Sequence, residues 1–379
     1  MQYRTERSLP VDCLKALAVL LIVLHHLAFY GPMGDKVRPL VPRLSDWLAD
    51  DARMAVQVFL VVAGFLGARS LAPTGCMTQA SFLPAVRSRF LRIVLPYHAV
   101  LVLALACNEL ARQGMTHPSI AAPPGPGQVL AHALLLQDVL GYESLSAGLW
   151  YVAIDLQLFV LMAVLLQIGR RADEALRAWR PQRSPDASDA SVLLVSLAGL
   201  ASLLHFNRDP AWDPWGVYFF GAYALGALAW WSARDPRGSW WLLAMTAGTL
   251  VALSIAFRER LVVALVVALL LGISCRRRRR AQPAAAARGL CPGGLVRAIR
   301  WLAANSYAIF LVHFPLCLVV NTAFTRFAPH VPAWQAAGIL VAVTTSIAAG
   351  ALFHALVERP LLRLLHGPAD AVPQAPAAT

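Results

Sequence analysis

One stretch constrains this chain more than any other. Residues 11–30 form a nearly continuous apolar run of about twenty residues, long enough as an α-helix to cross the hydrocarbon core of a bilayer. The run nevertheless carries Asp12, Lys15, His25 and His26. At about 100° per residue, Lys15 and His26 fall within roughly 20° of one direction, and Asp12 within about 60° of both. One side of this helix is therefore polar along its whole length. Ionisable groups facing lipid cost several kcal/mol, so the stripe is expected to face a bundle interior or a wet cavity. Lys15 has a simpler reading as an anchor that snorkels from the helix start. His26 lies too deep for that, and is either a site residue or a histidine bonded to a neighbouring carbonyl.

Composition says where the rest of the chain belongs. Of 379 residues 58% are hydrophobic and only 14% charged, with a mean hydropathy of +0.59. A soluble domain carries far more charge, so most of the length must lie in lipid. The net charge of +13 would suggest nucleic acid in a soluble protein. Here the basic residues sit between apolar runs, where they orient a membrane protein, and no nucleic-acid partner is expected. The six cysteines, Cys13, Cys76, Cys107, Cys275, Cys291 and Cys317, show neither Cys-x-x-Cys nor histidine-paired spacing. Neither a metal nor a disulfide framework is expected from them. Arg4 and Arg7 ahead of the first run imitate a signal peptide. The run is too long for one, lacks a small-x-small cleavage site and contains two histidines, so it is read as a retained helix.

Further apolar runs cover residues 54–71, 91–110, 149–168, 192–204, 215–231, 240–257, 261–275, 303–321 and 334–357. The expected fold is an all-α integral membrane protein, a bundle of about ten transmembrane helices. Gln57 is the one strongly polar residue inside the second run. A basic segment with Arg69, Arg87, Arg89 and Arg92 leads into the third, placing Pro96 in its first turns, where proline is tolerated. Residues 114–128 are rich in proline and glycine and read as irregular, and 129–140 is too short to span. Trp150, Asp155 and Gln157 occupy the first two turns of the fourth run, and Arg170, Arg171, Arg177, Arg180 and Arg183 follow it in what reads as a solvated loop. The next four runs are almost free of ionisable residues and read as scaffold; the five arginines at 276–280 read as an anchoring loop. The ninth contains Asn305-Ser306-Tyr307 and His313-Phe314-Pro315. The tenth ends at Glu358-Arg359-Pro360, with Pro360 as its stop. Residues 1–366 then make one membrane domain, and 367–379 a disordered cytoplasmic tail.

Ten crossings put both termini on one side, and the greater share of the 33 lysines and arginines collects there. That side, with both termini, is expected to be cytoplasmic. Lys15, Arg89, Arg92 and Arg359 then lie near the cytoplasmic helix ends. His26, Gln57 and Asp155 lie nearer the opposite surface, and His313 near the middle. A basic entrance inside and a histidine, carboxylate and amide group further out suit transfer from a polyanionic donor to an acceptor across the membrane. No internal repeat of the kind transporters often show is evident.

At this point the sequence resembles a known family, the membrane acyltransferase 3 family, through five stretches in order. Arg7 with Asp12-Cys13-Leu14-Lys15 and His26 resembles its opening Arg, Ile-Asp-Gly-Leu-Arg and His. Residues 56–66 are similar to its Val-Asp-Val-Phe-Phe-Val-x-Ser-Gly-Phe segment. Arg89, Arg92, Pro96 and Tyr97 match Arg-x-x-Arg-x-x-x-Pro-Tyr, and Leu149-Trp150-Tyr151 with Asp155 and Gln157 resembles Leu-Trp-Ser-Leu-x-x-Glu-x-Gln. The closing pair is Ser306-Tyr307 with Leu311 to Pro315, and Val357-Glu358-Arg359-Pro360. The chain departs from the pattern at Lys15 (usually Arg), Gln57 (Asp), Ala63 (Ser) and Asp155 (Glu). Lysine keeps a point charge but loses the guanidinium fork.

The resemblance implies transfer of an acyl group, acetyl in most members, from cytoplasmic acyl-CoA to a hydroxyl of an envelope or extracellular glycan, in the bacterial cytoplasmic (inner) membrane. It implies acyl-CoA as donor, membrane lipid and a glycan acceptor as partners, and, since the chain stops soon after Pro360, completion by the membrane domain alone or with a separate periplasmic partner. A neutral imidazole can take a proton from a hydroxyl near neutral pH. His26 is therefore expected as general base, with Asp155 or Asp12 orienting it and the helix order favouring Asp155. Lys15, Arg89, Arg92 and Arg359 are expected to hold the CoA phosphates. Glu358 reads as an arginine partner, and His313 as either a donor-channel contact or an interhelical hydrogen bond. Covalent acylation of histidine, a transporter or flippase that moves an acceptor unmodified, and an inactive envelope scaffold are the alternatives.

Overall fold

The computed structural model describes residues 8–77, 82–179, 189–234, 238–285 and 293–366. They form helices joined by turns, with no strand among the described residues. In chain order these are α1 (Leu9–Phe29), α2 (Pro32–Val37), α3 (Pro42–Asp50), α4 (Ala55–Leu71), α5 (Phe82–Gly114), α6 (Pro126–Ala133) and α7 (Leu149–Trp179). There follow α8 (Asp189–Leu204), α9 (Gly216–Ser232), α10 (Gly238–Ile255), α11 (Glu259–Ala285), α12 (Gly294–Phe327), α13 (Pro332–Phe353) and α14 (Arg359–His366). Every apolar run is a helix, as it must be where lipid offers backbone groups no partner. Eight stretches among the described residues are long and apolar enough to cross a membrane. The chain is an all-helical integral membrane protein.

Two packing centres hold the bundle. α9 is buried at nearly every position and touches α4, α7, α8, α10 and α11. Its closest approach is to α4, where a Cβ on Gly64 would stand 1.9 Å from the Tyr223 carbonyl oxygen and one on Gly226 1.9 Å from that of Val61. Lipid tails are as apolar as leucine, so association there rests on close packing, and two glycines let the backbones touch. The second centre is α12, buried against α1, α5 and α13. It brings His313 beside the polar stripe of α1.

Several expectations need correction. α5 begins at Phe82 and not near residue 91, so Arg89 lies inside the helix and not just ahead of it, and Pro96 sits deep inside and not in the first turns. Proline removes a hydrogen bond there and loosens the preceding turn. The Tyr307 hydroxyl donates to the nearby Ile93 carbonyl at 3.0 Å. α7 continues to Trp179, so Arg170, Arg171 and Arg177 are helical; Arg170 is buried and pairs with Glu174 at 2.5 Å. Arg180 and Arg183 lie outside the described residues. The arginines from 276 continue α11. Pro360 does not end the last helix. A wider π-type turn, His354–Glu358, precedes it and accommodates the missing N–H, after which α14 carries on. The expected tail, 367–379, lies outside the described residues.

Candidate active site

Two cavities open along α1, separated by roughly 16 Å of helix from Lys15 to His26. The first, of about 340 Å³, is lined by His25, His26 and Tyr30 at the Phe29 end of α1, with Gln57, Trp150, Phe310, Arg53 and Arg260 among its other walls. The second, of about 560 Å³, is lined by Lys15, Arg69, Arg89, Arg92, Asp155, Tyr307 and Glu358 over an apolar floor.

In the histidine cavity the arrangement is directional. His313 is wholly buried, and its Nδ1 lies 2.7 Å from the Phe310 carbonyl oxygen, which can only accept. A neutral His313 therefore carries its proton on Nδ1 and presents a bare Nε2. His26 Nδ1 lies 2.6 Å from that Nε2, with the rings only 7° from coplanar, as an in-plane N–H···N bond requires. His26 thus donates from Nδ1, which leaves Nε2 of its neutral ring with a free lone pair. Phe314 packs edge-on against His26, and Tyr30 lies tilted against the same ring. His25 donates from Nδ1 to the Leu48 carbonyl at 3.0 Å and ties α3 to α1. Trp150 lies against Phe219, ring centres 5.7 Å apart, and forms an apolar wall.

In the cationic cavity Arg89 donates to Asp155 at 2.5 Å while its guanidinium lies over the Phe159 ring at 5.4 Å. Glu358, buried in the π-type turn, accepts from His354 at 2.7 Å. Four cations line this space against two carboxylates. Between the cavities stand Phe59, Tyr151 and Phe310, their ring centres 5.3 to 6.1 Å apart. Phe310 lines both spaces while its carbonyl anchors His313.

The structure therefore gathers His26, Gln57 and Trp150 in one cavity with His313 behind them, and Lys15, Arg89, Arg92, Asp155 and Glu358 in the other. It separates the expected pair of His26 and Asp155, because the carboxylate turns to Arg89 and the imidazole to His313. Asp12 lines neither cavity, and its Oδ2 is buried without a hydrogen-bond partner. Arg359 is exposed and lines neither, having been rotated off the cavity by the turn that points Glu358 inward. Gln157 is occupied by the backbone: it accepts from the Gly216 N–H at 2.7 Å and donates to the Pro214 carbonyl at 3.3 Å, fixing the start of α9. Reading the sequence did not single out Arg53, Arg69, Arg260 or Phe310 as site residues. Isolated arginines at helix ends look like anchors, and one phenylalanine in an apolar helix carries no signal at all.

A family model for an acyltransferase domain matches residues 10–352, from the start of α1 almost to the end of α13, and takes in every residue named above in either cavity except Glu358. No curated protein and no solved structure gives a significant match. With that match over nearly the whole chain, on a helical bundle that buries a histidine pair beside a cationic cavity, the chain belongs to the acyltransferase 3 family of membrane acyltransferases.

Proposed function

We propose that the protein moves an acyl group, acetyl in the simplest case, from acyl-CoA on the cytoplasmic side to a hydroxyl of an envelope or extracellular glycan, in the bacterial cytoplasmic membrane. The observation that carries this reading is the bare Nε2 of His26, set by the chain from the Phe310 carbonyl through His313. A hydroxyl bound in that cavity gives its proton to His26 Nε2 as its oxygen attacks the thioester carbonyl. The C–S bond breaks, and the CoA sulfur recovers the proton from His26. His313 is a positioning residue that holds the tautomer and shares the imidazolium charge.

The donor substrate fits the second cavity. Arg69, Arg92 and Lys15 line this space and supply cationic groups for phosphate oxygens, and Arg89 is held by Asp155. The apolar floor suits the pantetheine arm, and the aromatic group of Phe59, Tyr151 and Phe310 is where the thioester would meet the acceptor. Basic residues on the Leu9 side of α1 support a cytoplasmic donor.

The test is mass spectrometry of envelope glycans from cells with the gene, without it, and with His26→Ala at equal membrane abundance. The expected result is an acyl mass increment present only with the intact protein. An increment that survives His26→Ala overturns the base assignment. Two cavities across an aromatic partition also suit a carrier that moves an acceptor unmodified, and such a carrier leaves acyl-CoA intact in proteoliposomes.

A further inference from the structure

We infer that the acceptor carries an anionic group, a carboxylate or a phosphate, close to the hydroxyl that is acylated, and that Arg53 and Arg260 recognise it. This rests on the reading of the histidine cavity as the acceptor site. That cavity holds two arginines, two histidines, a glutamine and a tyrosine, and no carboxylate among its described lining residues. At about 340 Å³ it falls at the low end of the roughly 300–1,000 Å³ typical of small-ligand sites.

Neither arginine forms an ion pair among the described residues. Arg260 is anchored through Nη2 to the Asn207 carbonyl at 2.8 Å and lies 4.7 Å over the Tyr218 ring, while its Nε is buried with no hydrogen-bond partner. Its neighbour Arg258 donates only to neutral acceptors: Asn207 Oδ1 and the carbonyls of Leu203, Ala252 and Ala256. Asp213 feels the field of Arg260, which opposes the upward push of burial on its carboxyl, but no ion pair joins them among the described residues. Arg53 is exposed, but holding Arg260 half-buried in this wall without a paired anion is unfavourable unless a ligand supplies one. Membrane orientation does not account for them either, because they stand at the Phe29 end of α1, opposite the side where basic residues gather. Charge complementarity and the Trp150–Phe219 wall together describe a site for an acidic sugar, one face apolar and one edge anionic.

The experiment measures binding by the full chain in phosphatidylcholine nanodiscs. The probes are galacturonate oligomers, the same oligomers with carboxyls reduced to alcohols, and glycerol-phosphate oligomers. We expect the carboxylate or the phosphate series to bind about tenfold tighter than the neutral one, the preferred series identifying the anion. Arg53→Gln, a change at an exposed side chain, should cut that preference about threefold, and Arg53→Gln with Arg260→Gln should remove it. Equal binding of charged and neutral probes, absence of binding by all three, or a preference that survives the double variant overturns the inference. So does loss of co-purified phosphatidylglycerol from the double variant with unchanged oligomer binding, which would assign the arginines to lipid headgroups. Charge-selective binding without acyl-CoA turnover would sink the acyl-transfer reading and leave the anion site standing.

Discussion

His26 and His313 share one proton line: Nδ1 of the first lies 2.6 Å from Nε2 of the second, and the second is pinned to the Phe310 carbonyl at 2.7 Å. Because a carbonyl cannot donate, this fixes both tautomers and points the free lone pair of His26 away from α12. Removing His313 leaves His26 present but free to protonate on the wrong nitrogen. His313→Phe should lower kcat by about 10²-fold with little change in KM for acyl-CoA, within the range general-base catalysis contributes. His313→Gln, whose amide oxygen accepts from His26 Nδ1, should recover part of the loss. Radiolabelled acyl transfer in proteoliposomes reads both, and equal loss in the two variants would reduce His313 to a packing role.

The Arg89–Asp155 pair predicts a different pattern. Asp155 is buried and Arg89 partly so, with side-chain exposures of 10% and 30%. Removing one partner of a buried pair strands the other, a cost of order 1–3 kcal/mol here once partial exposure is allowed for. Asp155→Ala and Arg89→Ala should each lower the melting temperature in detergent, and the double variant should lie above the sum of the two. Asp155→Glu should keep the pair. Additive losses would mean that the two side chains do not depend on one another.

How much of this was legible in the sequence differs residue by residue. The stripe on α1 was readable because helical period alone places Lys15 and His26 on one face, and Gln57 announced itself as the polar exception in an apolar run. The partner of Asp155 was not readable. The apolar run opens only near residue 91 and so puts Arg89 ahead of the helix, whereas α5 starts at Phe82 and carries Arg89 along its side. The partnership also spans 66 positions of sequence, and no local rule decides it. Arg359 was misplaced for a related reason: Pro360 reads as a helix stop, and only the π-type turn before it shows which of Glu358 and Arg359 faces inward. Tertiary contact settled each case after local pattern had narrowed the choice.

The contact of α4 with α9 is the most exacting piece of packing. Gly226→Ala places a methyl group 1.9 Å from the Val61 carbonyl oxygen, and Gly64→Ala does the same against Tyr223. Neither obstacle is the end of a flexible side chain, so the helices must part, at a cost of about 1–3 kcal/mol or more for an overpacked site. Either variant should melt at a lower temperature and fall in membrane abundance. Gly293→Ala serves as control, since nothing lies within 4 Å of a Cβ built there. Unchanged melting in both α4 and α9 variants would show that the helices are not held by backbone contact.

Phe310 offers the sharpest separation of roles, because its ring divides the cavities while its carbonyl anchors His313. Phe310→Ala removes the ring and leaves the carbonyl, so the tautomer of His26 should persist while the partition from Phe59 and Tyr151 loses a member. In the acyl transfer proposed above, water on the histidine side would then reach the thioester and be activated by His26 in place of the acceptor hydroxyl. CoA release in the absence of acceptor should rise several-fold over wild type, at an acyl-transfer rate equal or lower. Combining Phe310→Ala with His26→Ala should abolish the extra release, which ties the leak to the imidazole. If CoA release without acceptor stays at the wild-type rate in Phe310→Ala, the two cavities are not joined through this ring, and donor and acceptor must meet by another path.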